Sequence, residues 1–157
     1  MTGFEKLSAM ESWMLDSGPS CHMAGNASMM EKAENIAPVV IGLLNGTYTM
    51  AHDKGSVVLG KGLEVDNVLS VPKLKCNLVS ISKLCKQLNY AMKFFNKSCV
   101  IQDHTSRTLI GSGEQRGEVY YYRELLLRQV NAVDVRGSWH RLLGIRLEKY
   151  CLFFLTI

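Results

Sequence analysis

The feature that most constrains the fold of this chain is a succession of short β-prone runs separated by turn-forming residues. The runs cover residues 36–44, 47–51, 56–59, 63–71, 90–95, 98–102, 107–110 and 118–122. The first two are joined by Asn45-Gly46, which indicates a hairpin because both residues tolerate the positive φ of a type I′ turn. Short strands at roughly ten-residue spacing are typical of a small barrel. We therefore predict a mostly β fold, a small closed or nearly closed β-barrel.

One segment departs from the β pattern and predicts a single amphipathic helix. Between residues 77 and 88, apolar side chains recur at three- and four-residue spacing with polar residues between them. Asn77 is the candidate N-cap of this helix. The pattern also predicts a brief helix capped by Ser28, over residues 28–34, and a second turn at Asp53-Lys54-Gly55.

Composition places the chain among ordinary globular proteins. With 157 residues, 47% of them hydrophobic, it is expected to form one domain and part of a second. The net charge of +4 is not gathered into a basic run, so we do not expect nucleic-acid binding. The five cysteines are scattered and no signal peptide is recognisable, which predicts reduced thiols and a cytoplasmic or nuclear location. The apolar run at 151–157 is far shorter than the roughly 20 residues of a membrane span, so no membrane association is expected.

The segment with the clearest chemical content is Asp16-Ser17-Gly18, which follows the apolar run Trp13-Met14-Leu15. A buried strand that ends in such a triplet presents a carboxylate at its tip. The hydroxyl can tie down the loop, and the glycine leaves space where a side chain would collide with substrate. Aspartic proteases hold their catalytic carboxylate in this way. The alternative is an ordinary turn, since Asp, Ser and Gly are common turn residues.

Four segments resemble, in the same order, the protease region of copia-type retrotransposon Gag-Pol polyproteins. They are WMLDSGPSCHM at 13–23, VLSVPKLKCNLVSISKL at 68–84, GEVYYY at 117–122 and WHRLLG at 139–144. The last of these is similar to the start of the pre-integrase region that follows the protease. The resemblance implies a polar leader at 1–11, a retropepsin-like β-barrel domain at 12–125, and a linker with a truncated pre-integrase fragment at 126–157.

The activity that the resemblance implies is aspartic endopeptidase processing of a Gag-Pol polyprotein. Asp16, Ser17 and Gly18 would form the catalytic loop, and neither a cofactor nor a metal would be needed. Two carboxylates must lie close enough to share a proton, but no other aspartate of the chain is followed by Ser-Gly or Thr-Gly. Activity is therefore expected only in a homodimer that pairs two copies of Asp16. The flap over the peptide substrate is expected at the Asn45-Gly46 hairpin or at the neighbouring Asp53-Lys54-Gly55 turn.

Two departures from the family pattern favour an alternative, a catalytically dead retroelement relic that acts as a non-enzymatic β-barrel interaction domain. Pro19 stands where the family usually has a small residue, most often alanine, and proline lacks an amide donor. The resemblance also implies a zinc module after Trp139-His140, but its second histidine position is Ile145 and no Cys-x-x-Cys follows. Zinc binding is therefore not expected. His22, six residues after Asp16, is interpreted as a packed histidine rather than a metal ligand.

Overall fold

The computed structural model describes residues 11–60 and 63–125, which are mostly β with one α-helix. The strands are β1 (Trp13–Asp16), β2 (Met23–Ala24), β3 (Glu31–Gly42), β4 (Tyr48–Val58), β5 (Glu64–Ser70), β6 (Asn77–Ser80), β7 (Tyr90–Phe94), β8 (Ser98–Asp103), β9 (Leu109–Arg116) and β10 (Val119–Arg123). Helix α1 covers Ile81–Leu88, and a single 3-10 turn covers Ala27–Met29. The mostly β fold with one amphipathic helix is therefore confirmed for the described part of the chain.

All ten described strands belong to one sheet, in the order β3-β4-β5-β2-β6-β1-β10-β9-β8-β7. Strands β3 and β7 are its edges, so the sheet is not closed among the described residues, and the predicted closed or nearly closed barrel is not confirmed. The edges have physical reasons to stay unpaired. Strand β3 contains Pro38 and two register irregularities, which disturb a regular ladder, while α1 packs beside β7.

The long hairpin of β3 and β4 turns at the position that the sequence predicts. Gly46 has a φ of +80°, and the Asn45 side chain accepts hydrogen bonds from the amide and hydroxyl of Thr47 at 3.1 and 2.7 Å. The predicted second turn at Asp53-Lys54-Gly55 is wrong, because these residues lie inside β4 and pair with strands on both sides. Gly55 instead allows the backbone of β3 to lie close to β4, since a Cβ at this position would lie 2.6 Å from the Glu31 carbonyl oxygen.

The helix is shorter than the periodic pattern predicts, and a different residue caps it. Residues Asn77–Ser80 form strand β6, and the Ser80 side chain accepts a hydrogen bond from the Lys83 amide at 3.3 Å as the N-cap of α1. Asn89 ends the helix in the left-handed conformation. The predicted helix over 28–34 is also wrong. Asn26 caps the 3-10 turn, and β3 begins at Glu31.

Two clusters of buried apolar side chains hold the strands together. The larger contains Trp13 and Leu15 of β1 together with Ile81 and Leu84 of α1, so the helix and the strand that ends at Asp16 contribute side chains to the same core. The smaller cluster joins the β3–β4 hairpin to the centre of the sheet. Its buried members are Met23, Ile41, Ala51, Leu69 and Val71. The end of β1 is thus anchored on a packed core.

Candidate active site at the end of strand β1

Strand β1 places a half-buried carboxylate at the end of a buried strand. Trp13 and Leu15 are each 4% exposed, whereas Asp16, the last residue of the strand, is intermediate in burial. On one side β1 pairs in parallel with β6, which sets Asp16 opposite Ser80, and on the other side it pairs antiparallel with β10. Paired on both sides, the backbone of β1 fixes where Asp16 emerges from the sheet.

The loop after β1 brings the three residues singled out from the sequence together. The Gly18 amide donates a hydrogen bond to Asp16 Oδ1 at 2.8 Å, and both Ser17 and Gly18 are exposed. A Cβ on Gly18 would lie 3.3 Å from the same oxygen, which is a tight contact. The carboxylate is therefore oriented by its own loop and reachable from solvent, as a carboxylate that acts on an external molecule must be.

Pro19 keeps its place in the loop through its carbonyl group. The Ser80 hydroxyl donates a hydrogen bond of 2.6 Å to the Pro19 carbonyl oxygen. The amide that orients Asp16 comes from Gly18, so the donor that proline lacks is not the donor used for this contact. Sequence reasoning did not select Ser80, although a serine just before the first apolar residue of a helical pattern is a recognisable N-cap signal.

His22 is buried behind the loop, with 1% of its surface exposed. Its Nδ1 accepts a hydrogen bond from the Ser80 amide at 3.1 Å, and its carbonyl oxygen accepts one from the Leu69 amide at 2.9 Å. Burial, followed by the charge of Lys83, lowers the pKa of His22 to about 4. The ring is therefore neutral near pH 7, with the proton on Nε2.

Asn77 joins β6 to the segment that follows β2. It is fully buried, and its Oδ1 accepts hydrogen bonds from the Gly25 and Asn26 amides at 3.0 and 3.4 Å. Its Nδ2 donates to the Ser12 carbonyl oxygen at 3.4 Å. The sequence pattern assigns this residue to a helix cap, but in the structure it stabilises the start of β1 and the loop beyond β2 instead.

The other described aspartates serve local structure or lie on the surface. Asp53 accepts a hydrogen bond from the Asn35 side chain within the β3–β4 hairpin. Asp103 accepts from the Thr105 and Ser106 amides, and these contacts, with Ser106 first, lower its pKa. Asp66 is exposed on β5, and Asp134 lies outside the described residues. Asp16 is thus the one described aspartate at the tip of a strand with a Ser-Gly loop.

A thiol lies within electrostatic reach of the carboxylate. Burial, followed by the charge of Asp16, raises the pKa of the Cys76 thiol. The four cysteines in the described part of the chain are free thiols, and none of them is paired in a disulfide. Cys76 is consequently an uncharged neighbour of Asp16 near neutral pH.

The described residues contain no group of three or more His, Cys, Asp or Glu side chains placed to hold a metal ion. Among these same residues, no helix is long and apolar enough to cross a membrane. His140, Ile145 and Cys151, on which the expectations about zinc depend, lie outside the described residues.

One face of the β3–β4 hairpin is apolar and exposed. Val40 lies opposite Met50, and Gly42 lies opposite Tyr48, so these side chains share a face. Val40, Tyr48 and Met50 are 61%, 73% and 53% exposed. We call these three residues, with Leu44 at the turn, the exposed hairpin face. The opposite face of the hairpin, with Ile41 and Ala51, packs into the smaller core cluster.

Comparison with known proteins reveals similarity to Pol polyproteins of transposons. Residues 13–90 match the family described as Pol polyprotein, beta-barrel domain. Two similar proteins of Arabidopsis thaliana are the retrovirus-related Pol polyproteins from transposons RE1 and RE2, which are 25% and 26% identical to the chain over 144 residues. Each alignment covers 84% of this chain, and the chain spans only about 10% of either relative's length. No solved structure matches the chain significantly. These similarities support the identification of the chain as a fragment of a retrotransposon Pol polyprotein, with residues 13–90 matching the β-barrel domain.

Proposed function

We propose that this domain is a retropepsin-like aspartic endopeptidase that processes a Gag-Pol polyprotein and is active only as a homodimer. The observation that carries the proposal is the Asp16 carboxylate at the tip of a buried strand, held by the Gly18 amide at 2.8 Å within an exposed loop. The similarity of residues 13–90 to the β-barrel domain of Pol polyproteins supports a polyprotein as the substrate. Asp16 is the catalytic group, while Ser17 and Gly18 shape its loop.

The dimer follows from the chemistry of the reaction. Two carboxylates about 3 Å apart cannot both ionise, because their charges would repel each other. One therefore keeps its proton while the other is charged. The charged Asp16 removes a proton from water, which attacks the carbonyl carbon of the scissile peptide bond. The protonated Asp16 of the second copy donates to the carbonyl oxygen, giving a tetrahedral gem-diol. The first Asp16, which now holds the proton from water, donates it to the amide nitrogen, while the second Asp16 takes back a proton from a hydroxyl of the gem-diol. The C–N bond then breaks, and the amine and the carboxylic acid leave. A two-fold axis beside the loop supplies the pair from one motif.

In this proposal the β3–β4 hairpin is the flap that covers the substrate. Its Asn45-Gly46 turn is exposed, and its apolar face would contact apolar side chains of an extended peptide. Asp53-Lys54-Gly55 does not form the tip of a flap, since these residues lie within β4. The domain would work in the cytoplasm or nucleus on a polyprotein peptide, without a cofactor, membrane or nucleic acid as partner.

The test is cleavage of a peptide library derived from the polyprotein, measured between pH 4 and 7 at several protein concentrations. Asp16→Asn removes the catalytic acid and base but keeps an acceptor for the Gly18 amide, and Asp66→Asn makes the same change on the exposed surface of β5. We expect activity to rise steeply with concentration, to be inhibited by pepstatin, to vanish in Asp16→Asn and to persist in Asp66→Asn. Activity unaffected by Asp16→Asn would disprove the proposal.

The exposed hairpin face favours a second candidate function, a non-enzymatic interaction domain descended from the same protease. Contiguous exposed apolar side chains on a small domain mark a surface that another molecule covers. The same cleavage assay separates the two functions when it is combined with sedimentation analysis. A folded dimer that cleaves nothing across the pH range would support the interaction domain, and concentration-dependent cleavage would exclude it.

A further inference from the structure

Ser80 is the residue at which the loop of Asp16, the end of β6 and the start of α1 meet. It lies opposite Asp16 in the parallel pairing of β1 with β6. Its hydroxyl donates to the Pro19 carbonyl oxygen at 2.6 Å and accepts from the Lys83 amide at 3.3 Å. Ser82 contributes a further hydroxyl contact at 3.2 Å. The position of Ser80 therefore determines where the loop after Asp16 is held.

The backbone of Ser80 is in turn held by His22. The Ser80 amide donates to Nδ1 of this buried ring at 3.1 Å, so Nδ1 must be unprotonated for the contact to exist. The His22 backbone is itself fixed by the Leu69 amide on β5. His22 and Pro19 belong to the same segment after β1, and both converge on one serine.

The two largest influences on His22, burial and the charge of Lys83, both work against a charged ring. Lys83 on α1 places a positive charge near the imidazole, and burial removes the water that would solvate an imidazolium. Gln87, one turn further along α1, is the polar side chain close enough to oppose this effect, although Nε2 makes no hydrogen bond of good geometry. Within residues 11–60 and 63–125, no carboxylate is among the groups that influence the charge of this ring.

We propose that His22 is a positioning residue for the Asp16 loop, acting through Ser80, and that this action requires the neutral ring. The inference rests on the proposed function, because it assigns the loop its catalytic purpose. A proton on Nδ1 would set two N–H donors against each other, so that Ser80 would shift and loosen its hold on Pro19. The proposed enzyme would then lose its loop geometry in acid.

Three variants of the full chain test the inference. His22→Asn offers an amide oxygen close to the position of Nδ1 and does not titrate, whereas His22→Leu removes the acceptor. His52→Leu makes the same apolar change at an exposed histidine on β4. The readouts are the amide hydrogen-exchange protection of Ser80 and Gly18, and the nitrogen chemical shifts of the His22 ring, between pH 3.5 and 7.

In the wild type we expect an unprotonated Nδ1 near neutral pH and a loss of Ser80 protection as the pH falls through about 4. His22→Leu should lower the protection by about tenfold at every pH, whereas His22→Asn should keep it and abolish the acid transition. His52→Leu should behave as the wild type. A proton on Nδ1 at pH 7, or equal Ser80 protection in His22→Leu and His22→Asn, would overturn the inference.

These readouts do not depend on catalysis, so the two proposals fail separately. A protein that cleaves no peptide but shows the Ser80 transition would refute the proposed protease and retain the connection between His22 and the loop. A protein that cleaves peptide with the same kcat in His22→Leu and the wild type would refute the role of His22 alone. If the role holds in an active enzyme, His22→Leu should lower kcat more than it changes KM, and His22→Asn should restore kcat.

Discussion

At the scale of single residues, buried polar side chains rather than the apolar core determine the shape of the candidate site. Ser80, His22 and Asn77 are all buried, and each bonds to backbone groups of the segments around Asp16. A buried polar atom that loses its partner is costly because water cannot replace the lost bond. Substitutions at these positions should therefore disturb the site more than conservative changes among neighbouring apolar residues.

Asn77→Ala is expected to lower the free energy of unfolding by roughly 3 kcal/mol. The change leaves the buried Gly25 amide without its acceptor at 3.0 Å and opens a space beside Ser12. Urea unfolding would measure the effect, with Asn96→Ala in an exposed turn as the matched control. The control should change stability by less than about 0.5 kcal/mol. Equal losses in the two variants would show that the Asn77 contacts do not stabilise the domain.

Pro19→Ala should leave the fold intact, because the Pro19 group that is used is a backbone carbonyl that alanine retains. It restores an amide donor to the loop, and one hydrogen bond is worth about 1 kcal/mol. If Pro19 limits catalysis, kcat/KM for a peptide should rise by about fivefold. The comparison requires equal thermal stability and equal dimer content in both proteins. No gain under those conditions would remove Pro19 as an explanation for low activity.

At the scale of secondary-structure elements, the sequence predicts correctly those features that depend on interactions between residues close together in the chain. The Asn45-Gly46 turn and the apolar periodicity of α1 act within a few residues of sequence, and both are seen in the structure. The predictions are wrong at positions where contacts between residues distant in sequence determine the structure. Asn77 resembles a cap, but its side chain bonds 52 residues away to Gly25. Gly55 resembles a turn residue, but it allows β3 to approach β4 closely. The loop of Asp16 was recognisable from its own sequence. The contact between His22 and Ser80 behind it joins residues 58 positions apart, so it could not be predicted from local sequence.

Gly25→Ala is expected to destabilise the domain by roughly 2 to 4 kcal/mol. Gly25 follows β2, and a Cβ there would collide with the Leu74 carbonyl group and lie 2.9 Å from the Cys76 carbonyl oxygen. Backbone atoms cannot move aside as a flexible side chain can. Gly42→Ala is the control, since its Cβ would lie at an ordinary 3.6 Å from the Tyr48 ring. Thermal unfolding should show a large loss for the first variant and little change, or a small gain, for the second.

At the scale of the whole molecule, the buried imidazole makes stability depend on pH. The pKa of His22 is about 4 in the folded protein against 6.5 without the fold, so between these values the unfolded chain binds a proton that the folded protein does not. The free energy of unfolding should therefore fall as the pH drops below about 6.5 and level off below about 4.

The contribution of His22 between pH 7 and 4.5 should amount to roughly 2 kcal/mol. Chemical unfolding at a series of pH values would measure it as the difference in slope between the wild type and His22→Asn. His52→Asn, changed at an exposed histidine, should keep the wild-type slope. Identical slopes in His22→Asn and the wild type would mean that the ring is not held neutral by the fold.

The pairing of β1 also has a consequence for the time at which the site exists. Strand β1 is made early, but Leu15 pairs with Val79 on one side and with Tyr120, more than a hundred residues later, on the other. At roughly 5–20 residues per second on the ribosome, β10 is synthesised several seconds after β1. The nascent chain therefore carries the Asp16 carboxylate on an incompletely paired strand until translation has passed β10. In the proposed protease, the order of synthesis alone would delay cleavage until β10 has been made.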